Sequence, residues 1–123
     1  MILQVETEVK PKLTVIQLES MSLYEIIRDE RAFVIIIDGK TFFTEPLFPI
    51  LEFVQYSIKW VKENNVSFIY NTIESEENPI LSFTQQQGQW KIYSVWQKFE
   101  CNELFKFEDI RNFIIEIINR VMQ

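Results

Sequence analysis

The sequence predicts an α+β domain: an antiparallel sheet of about five to seven strands, with two main helices and one short helix packed on it. Three observations predict this. Residues 49–63 and 107–121 repeat apolar side chains at helical spacing. Short β-branched and aromatic runs elsewhere are separated by turn-forming residues. Asp38-Gly39 lies between two such runs, and a type I′ hairpin needs positive φ at both of those positions.

Taken in order, residues 2–19 read as two strands punctuated by Lys10-Pro11, the second from the alternation of Leu13 to Leu18. Ser22-Leu23-Tyr24-Glu25 matches a capping box and opens a short helix to about Asp29, with Leu23, Ile26 and Ile27 on its buried side. Phe33 to Ile37 is apolar at every position, which predicts a central strand covered on both faces. Lys40 to Thr44 forms the second arm of the hairpin. Pro46 and Pro49 are expected to open a helix running to about Glu63, since a first turn tolerates proline. Glu52, Gln55, Lys59 and Lys62 would form its narrow polar stripe, and Asn64-Asn65 its stop.

A three-strand meander is then expected over 66–72, 80–84 and 90–99, with turns at 74–79 and at Gln87-Gly88. On the third strand, alternation puts Trp90, Ile92, Ser94 and Trp96 on one face. Tyr93, Val95, Gln97, Phe99 and Cys101 fall on the other, so that face is either covered by another layer or meets a partner. The last helix carries the stripe Ile110, Phe113, Ile114, Ile117, Ile118 and Val121. Glu108 and Asp109 suit its positive N-terminal end, and Glu116 and Arg120 form an i,i+4 pair.

Composition sets the outer bounds. At 123 residues the chain fits one domain spanning 1–123. Eleven Phe, four Tyr and three Trp supply a large core, so the chain is not of the disordered class. No basic opening followed by an apolar stretch marks a signal peptide, and charges interrupt every apolar run well short of the ~18 residues of a membrane span. A cytoplasmic protein with no membrane association is expected.

The formal charge of −6 speaks against nucleic acid, where lysine and arginine must neutralise phosphates, and fits either solubility or a basic protein partner. No histidine is present, which removes imidazole-based triads, dyads and zincin motifs. The two glycines both fall in turns, so no phosphate-cradling loop is present. One cysteine excludes an intrachain disulfide and a thiolate zinc cluster. Cys101 reads as a small buried hydrophobe, with no His to activate it. No cofactor or metal is expected.

What remains is an acidic tip and its aromatic neighbours. Between Lys62 and Lys91 there is no basic residue, while Glu63, Glu74, Glu76 and Glu77 fall in that interval. Solvated turn chemistry or protection of a sheet edge accounts for these glutamates on structural grounds alone. Read functionally, Glu74, Glu76 and Glu77 would steer a basic partner. Carboxylates of this kind also leave acid–base catalysis or binding of a hard cation open. Trp60, Trp90, Tyr93 and Trp96 are core candidates individually, and any that is exposed becomes an interface anchor. Trp90 and Trp96 are the two assigned here to partner binding.

Four stretches carry a resemblance: Phe42-Phe43-Thr44-Glu45-Pro46, Leu51-Glu52-Phe53, Asn78-Pro79-Ile80-Leu81-Ser82-Phe83 and Trp96-Gln97-Lys98-Phe99-Glu100-Cys101. From about residue 33 onward the chain resembles a family of small uncharacterised bacterial proteins. That resemblance implies no activity and carries no catalytic residue across. In size, charge and lack of catalytic motifs the chain is also similar to immunity proteins, which neutralise a cognate toxin; this likeness is an analogy.

The expectation is therefore a non-catalytic acidic protein-binding domain of the immunity-inhibitor type, not an enzyme. Two alternatives stay open: a small-molecule-binding or carboxylate-dependent enzyme domain, and a structural subunit that forms a homodimer through the two-faced third strand.

Overall fold

The computed structural model describes residues 2–63 and 66–123. Within them the chain is α+β, with two antiparallel three-stranded sheets in place of the single larger sheet expected from sequence. The first sheet has strand order β1 (Leu3–Thr7), β2 (Glu30–Ile37), β3 (Lys40–Pro49), and the second β4 (Phe68–Tyr70), β5 (Leu81–Gln86), β6 (Gln89–Tyr93). The helices are α1 (Val15–Ser20), α2 (Leu23–Arg28), α3 (Ile50–Glu63) and α4 (Phe107–Val121). The stop expected at Asn64-Asn65 lies outside the described residues.

The β2–β3 hairpin turns through Asp38 (φ 49°) and Gly39 (φ 80°), both left-handed as a type I′ turn requires. The β5–β6 hairpin repeats the device with Gln87 (φ 52°) and Gly88 (φ 80°). Along β2 one face is fully buried through Arg31, Phe33, Ile35 and Ile37. The other face, with Val34 and Ile36, is only half-buried, so the strand is central but not covered equally on both sides. Arg31 enters the interior because its guanidinium meets the Asp29 carboxylate through both oxygens, at 2.8 and 3.1 Å.

Two irregularities in the β2–β3 ladder explain β3. Between the pairs Ile35↔Phe43 and Ile36↔Thr41, Phe42 is an extra residue. Consecutive phenylalanines can then both be buried, Phe43 against Phe33 and Phe48, and Phe42 against Phe99. Between Arg31↔Phe48 and Phe33↔Glu45 the strand accommodates Pro46 and turns Leu47 out to solvent. Pro46 therefore belongs to the strand, contrary to expectation, and α3 starts directly after Pro49.

α3 lies against α4 and touches both sheets, through β2 and β4. Its buried set includes Phe53, Val54, Ser57 and Trp60. Glu52, expected on the polar stripe, is buried instead, and its Oε1 accepts a hydrogen bond from the Tyr70 hydroxyl at 2.7 Å. α4 buries Ile110, Phe113, Ile114, Ile117 and Val121, with Ile118 packed at the margin, as the apolar stripe predicts. The two helices and both sheets share one aromatic-rich core, in which Trp60 meets Phe68, Trp90 and Phe107 with ring centroids 5.8–6.2 Å apart.

Three further expectations are corrected. The alternating run after Pro11 is helix α1, held by a Thr14/Gln17 capping box: Thr14 Oγ1 accepts from the Gln17 N–H at 3.1 Å, and Gln17 Oε1 from the Thr14 N–H at 2.8 Å. In α2 the Ser22/Glu25 box forms as read, but only Ile26 is buried and Leu23 stands exposed. β6 ends at Tyr93 because Ser94 competes with the ladder. Its hydroxyl accepts from the Trp96 N–H at 3.0 Å, and its carbonyl accepts from the Gln97 N–H at 3.2 Å. Beyond this turn, the Lys98 N–H donates to the Phe42 carbonyl at 2.8 Å, tying the segment to the outer edge of β3.

Candidate acidic and aromatic cleft

The connection from β4 to β5 is built around Asn78. Its Oδ1 accepts from the Thr72 N–H at 3.0 Å, and its Nδ2 donates to the Ser75 carbonyl at 2.8 Å. Ser75 Oγ accepts from the Glu77 N–H at 3.1 Å. The Asn78–Pro79 peptide is cis, and the Val95 N–H donates to the Pro79 carbonyl at 3.1 Å. The acidic tip is thus an ordered loop, seated beside the turn that ends β6.

That seating brings Trp96 to Glu77. The indole Nε1–H donates to Glu77 Oε2 at 2.9 Å. Trp96 is 38% exposed, with its ring at the rim of a cleft of about 160 Å³. Leu47 and Trp96 are its exposed apolar residues, and the buried Phe48, Pro49 and Ile80 line it from the core side. Thr72 and Ser75 add hydroxyls, and Glu45 and Glu74 supply its charge. No lysine or arginine lines it among the described residues, and neither carboxylate belongs to an ion pair there.

The electrostatics follow from this crowding. Partial burial raises the Glu74 carboxyl above its ordinary range, and the negative charges of Glu30 and Glu52 raise it further. Burial likewise pushes the Tyr70 hydroxyl strongly up, reinforced by its bond to Glu52. The cleft is therefore a place where like charge accumulates without a neutralising partner.

Of the residues singled out from sequence, Glu74 and Trp96 line the cleft, and Glu77 is joined to it through Trp96. Glu76 and Glu77 are exposed on the same loop and do not themselves line the cleft. Trp90 does not reach the surface: at 1% exposure it is a core residue packed on Trp60 and Phe107, so its assignment to partner binding is corrected. The shared strand face holds through Ser94 and is broken by the turn that turns Trp96 outward. Sequence reasoning missed Glu45 and Leu47, which the irregularity at Pro46 presents to the cleft from the other sheet. The adjacent Glu45-Pro46 within a strand-like run was the available signal.

Two larger grooves flank α4. One, of about 600 Å³, has mixed charge from Glu8, Lys12, Glu116 and Arg120. The other, of about 410 Å³, is largely apolar, with Val15, Leu18, Ile58, Ile118 and Met122. Neither contains a residue assigned from sequence to partner binding. Cys101 is buried, its thiol donates weakly to the Glu103 carbonyl at 3.7 Å, and burial raises its pKa. Among the described residues no group of three or more His, Cys, Asp or Glu is arranged to hold a metal ion, and no helix is long and apolar enough to cross a membrane.

No curated protein and no solved structure matches the chain. A family model described as a domain of unknown function (DUF7878) matches residues 5–123, nearly the whole length and including every residue of the cleft, and the chain belongs to that family.

Proposed function

We propose that this chain is a non-catalytic protein-binding domain, of the inhibitor type exemplified by immunity proteins, that docks a basic partner on the face formed by Glu45, Leu47, Glu74, Glu77 and Trp96. The observation that carries this reading is the Trp96–Glu77 hydrogen bond at the rim of a cleft whose charged lining is entirely negative. Interfaces draw their affinity from a few aromatic and charged anchors, and their on-rate from complementary charge. A partly exposed tryptophan held in place by the Glu77 carboxylate needs little ordering on binding, which limits the entropic cost.

The test is affinity capture from a lysate of the source organism at low and moderate salt, with mass spectrometry. The expected result is one basic protein, retained at low salt, weakened at moderate salt, and lost from a variant carrying Glu74→Lys, Glu76→Lys and Glu77→Lys. Capture that is indifferent to salt and to charge reversal would place the partner elsewhere on the surface and overturn the assignment.

A further inference from the structure

Resting on that binding face, we infer that the cleft between β3 and the β4–β5 loop is a socket for a single arginine side chain of the partner, stacked on the Trp96 indole and paired with Glu74 and Glu45.

Size comes first. At about 160 Å³ the cleft is well below the roughly 300–1,000 Å³ of pockets that enclose whole small-molecule ligands. It suits one long side chain. Its lining is graded in the way such a side chain needs. The exposed Leu47 and Trp96, set over the buried Phe48, Pro49 and Ile80, offer apolar contact for a methylene stem, while Glu45 and Glu74 offer acceptors for the cationic head. Trp96 stands exposed at the mouth, and tryptophan is the best aromatic face for a cation. Arginine fits better than lysine. Its planar guanidinium stacks on an aromatic face and can donate to two carboxylates at once, whereas an ammonium is a compact point charge.

The charge balance points the same way. Glu45 and Glu74 line the cavity without a cation, and Glu30 and Glu52 add negative charge near Glu74. An arriving guanidinium relieves that repulsion, and the raised Glu74 carboxyl falls back toward its ordinary range as the pair forms. The Trp96 indole N–H is meanwhile donated to Glu77, which holds the ring, and the residue remains 38% exposed.

The experiment uses the whole chain and three defined peptides, Ac-Gly-X-Gly-NH₂ with X as arginine, lysine or citrulline. Citrulline keeps the shape of arginine and removes its charge. Binding is followed by the Trp96 indole N–H resonance, assigned by its loss in Trp96→Phe. The expected result is a weak, saturable shift with arginine, at least about fivefold tighter than with citrulline and tighter than with lysine. Glu74→Gln should weaken arginine binding by about threefold or more without lowering the thermal midpoint. An isotope-edited titration of the Glu74 carboxyl should also move to lower pH when the arginine peptide is added.

No saturable shift with arginine, equal shifts with citrulline, or preference for lysine would overturn the socket. If partner capture still depended on salt and on the three glutamates, the binding face would stand and only the socket would fall. If the arginine peptide bound as expected and capture ignored those charges, the socket would stand and the wider docking reading would fall.

Discussion

The Tyr70 hydroxyl donates to Glu52 Oε1 at 2.7 Å, joining the first turn of α3 to the last residue of β4 inside the core. A carboxylate 5% exposed depends on such a donor. Tyr70→Phe removes it and strands the acceptor, for an expected loss of about 1–3 kcal/mol in urea denaturation. Glu52→Gln keeps an acceptor oxygen and should cost less than Tyr70→Phe. A negligible loss in Tyr70→Phe would mean that Glu52 finds its hydrogen bonds elsewhere.

The two tryptophans near residue 90 should separate cleanly. Trp90→Ala empties a fully packed site and is expected to cost about 3–5 kcal/mol. Set against a total stability of about 5–15 kcal/mol, that leaves a marginal fold. Trp96→Ala, at the surface, should cost less than about 1 kcal/mol while abolishing partner capture. Equilibrium denaturation of both variants beside capture by each provides the comparison.

Glu74 makes stability depend on pH in a definite direction. Its folded-state pKa is raised, so the folded chain holds this proton more tightly than the unfolded chain does. Below the ordinary glutamate value of about 4.3 both states are protonated and nothing is lost. As pH rises from there through the raised folded value, the native state loses stability. Glu74→Gln should therefore stabilise the protein at neutral pH, by less than about 0.5 kcal/mol because the side chain is largely exposed. The gain should vanish near pH 4, as followed by thermal unfolding across the pH range.

Cys101 should be inert in the folded protein. It is buried, and burial disfavours the thiolate that reacts. Labelling by an aromatic disulfide reagent at pH 8 is expected to be slow natively and immediate in denaturant. Rapid native labelling would show that the segment from Ser94 to Glu103 opens readily.

Local signals were the legible part of the sequence. The Asp38-Gly39 turn, the Ser22/Glu25 box and the full extent of α4 depend on residues within a few positions of one another. The division into two sheets did not, because it rests on α3 filling the space between β2 and β4. The Thr14/Gln17 box was present in the sequence, but the alternation from Leu13 to Leu18 also suits a strand. In and beside the cleft, Glu74, Trp96 and the Glu77 that holds it were readable from charge and aromaticity. Glu45 and Leu47 were not, since a strand irregularity about thirty residues upstream places them. Trp90 and Trp96 share alternation, and only the hydrogen bonds of Ser94 tell them apart.

The cleft draws Glu45 and Leu47 from one sheet, Glu74 and Ile80 from the ends of the other, and Trp96 from the segment that Lys98 ties to Phe42. No contiguous stretch of the chain contains it. A fragment, a misregistered sheet or a half-folded chain would carry the same glutamates and tryptophan and still present no receptor. On the proposed docking reading, recognition of this face would double as a checkpoint on assembly: a partner that reads it would engage only finished molecules, and by mass action draw the population toward them.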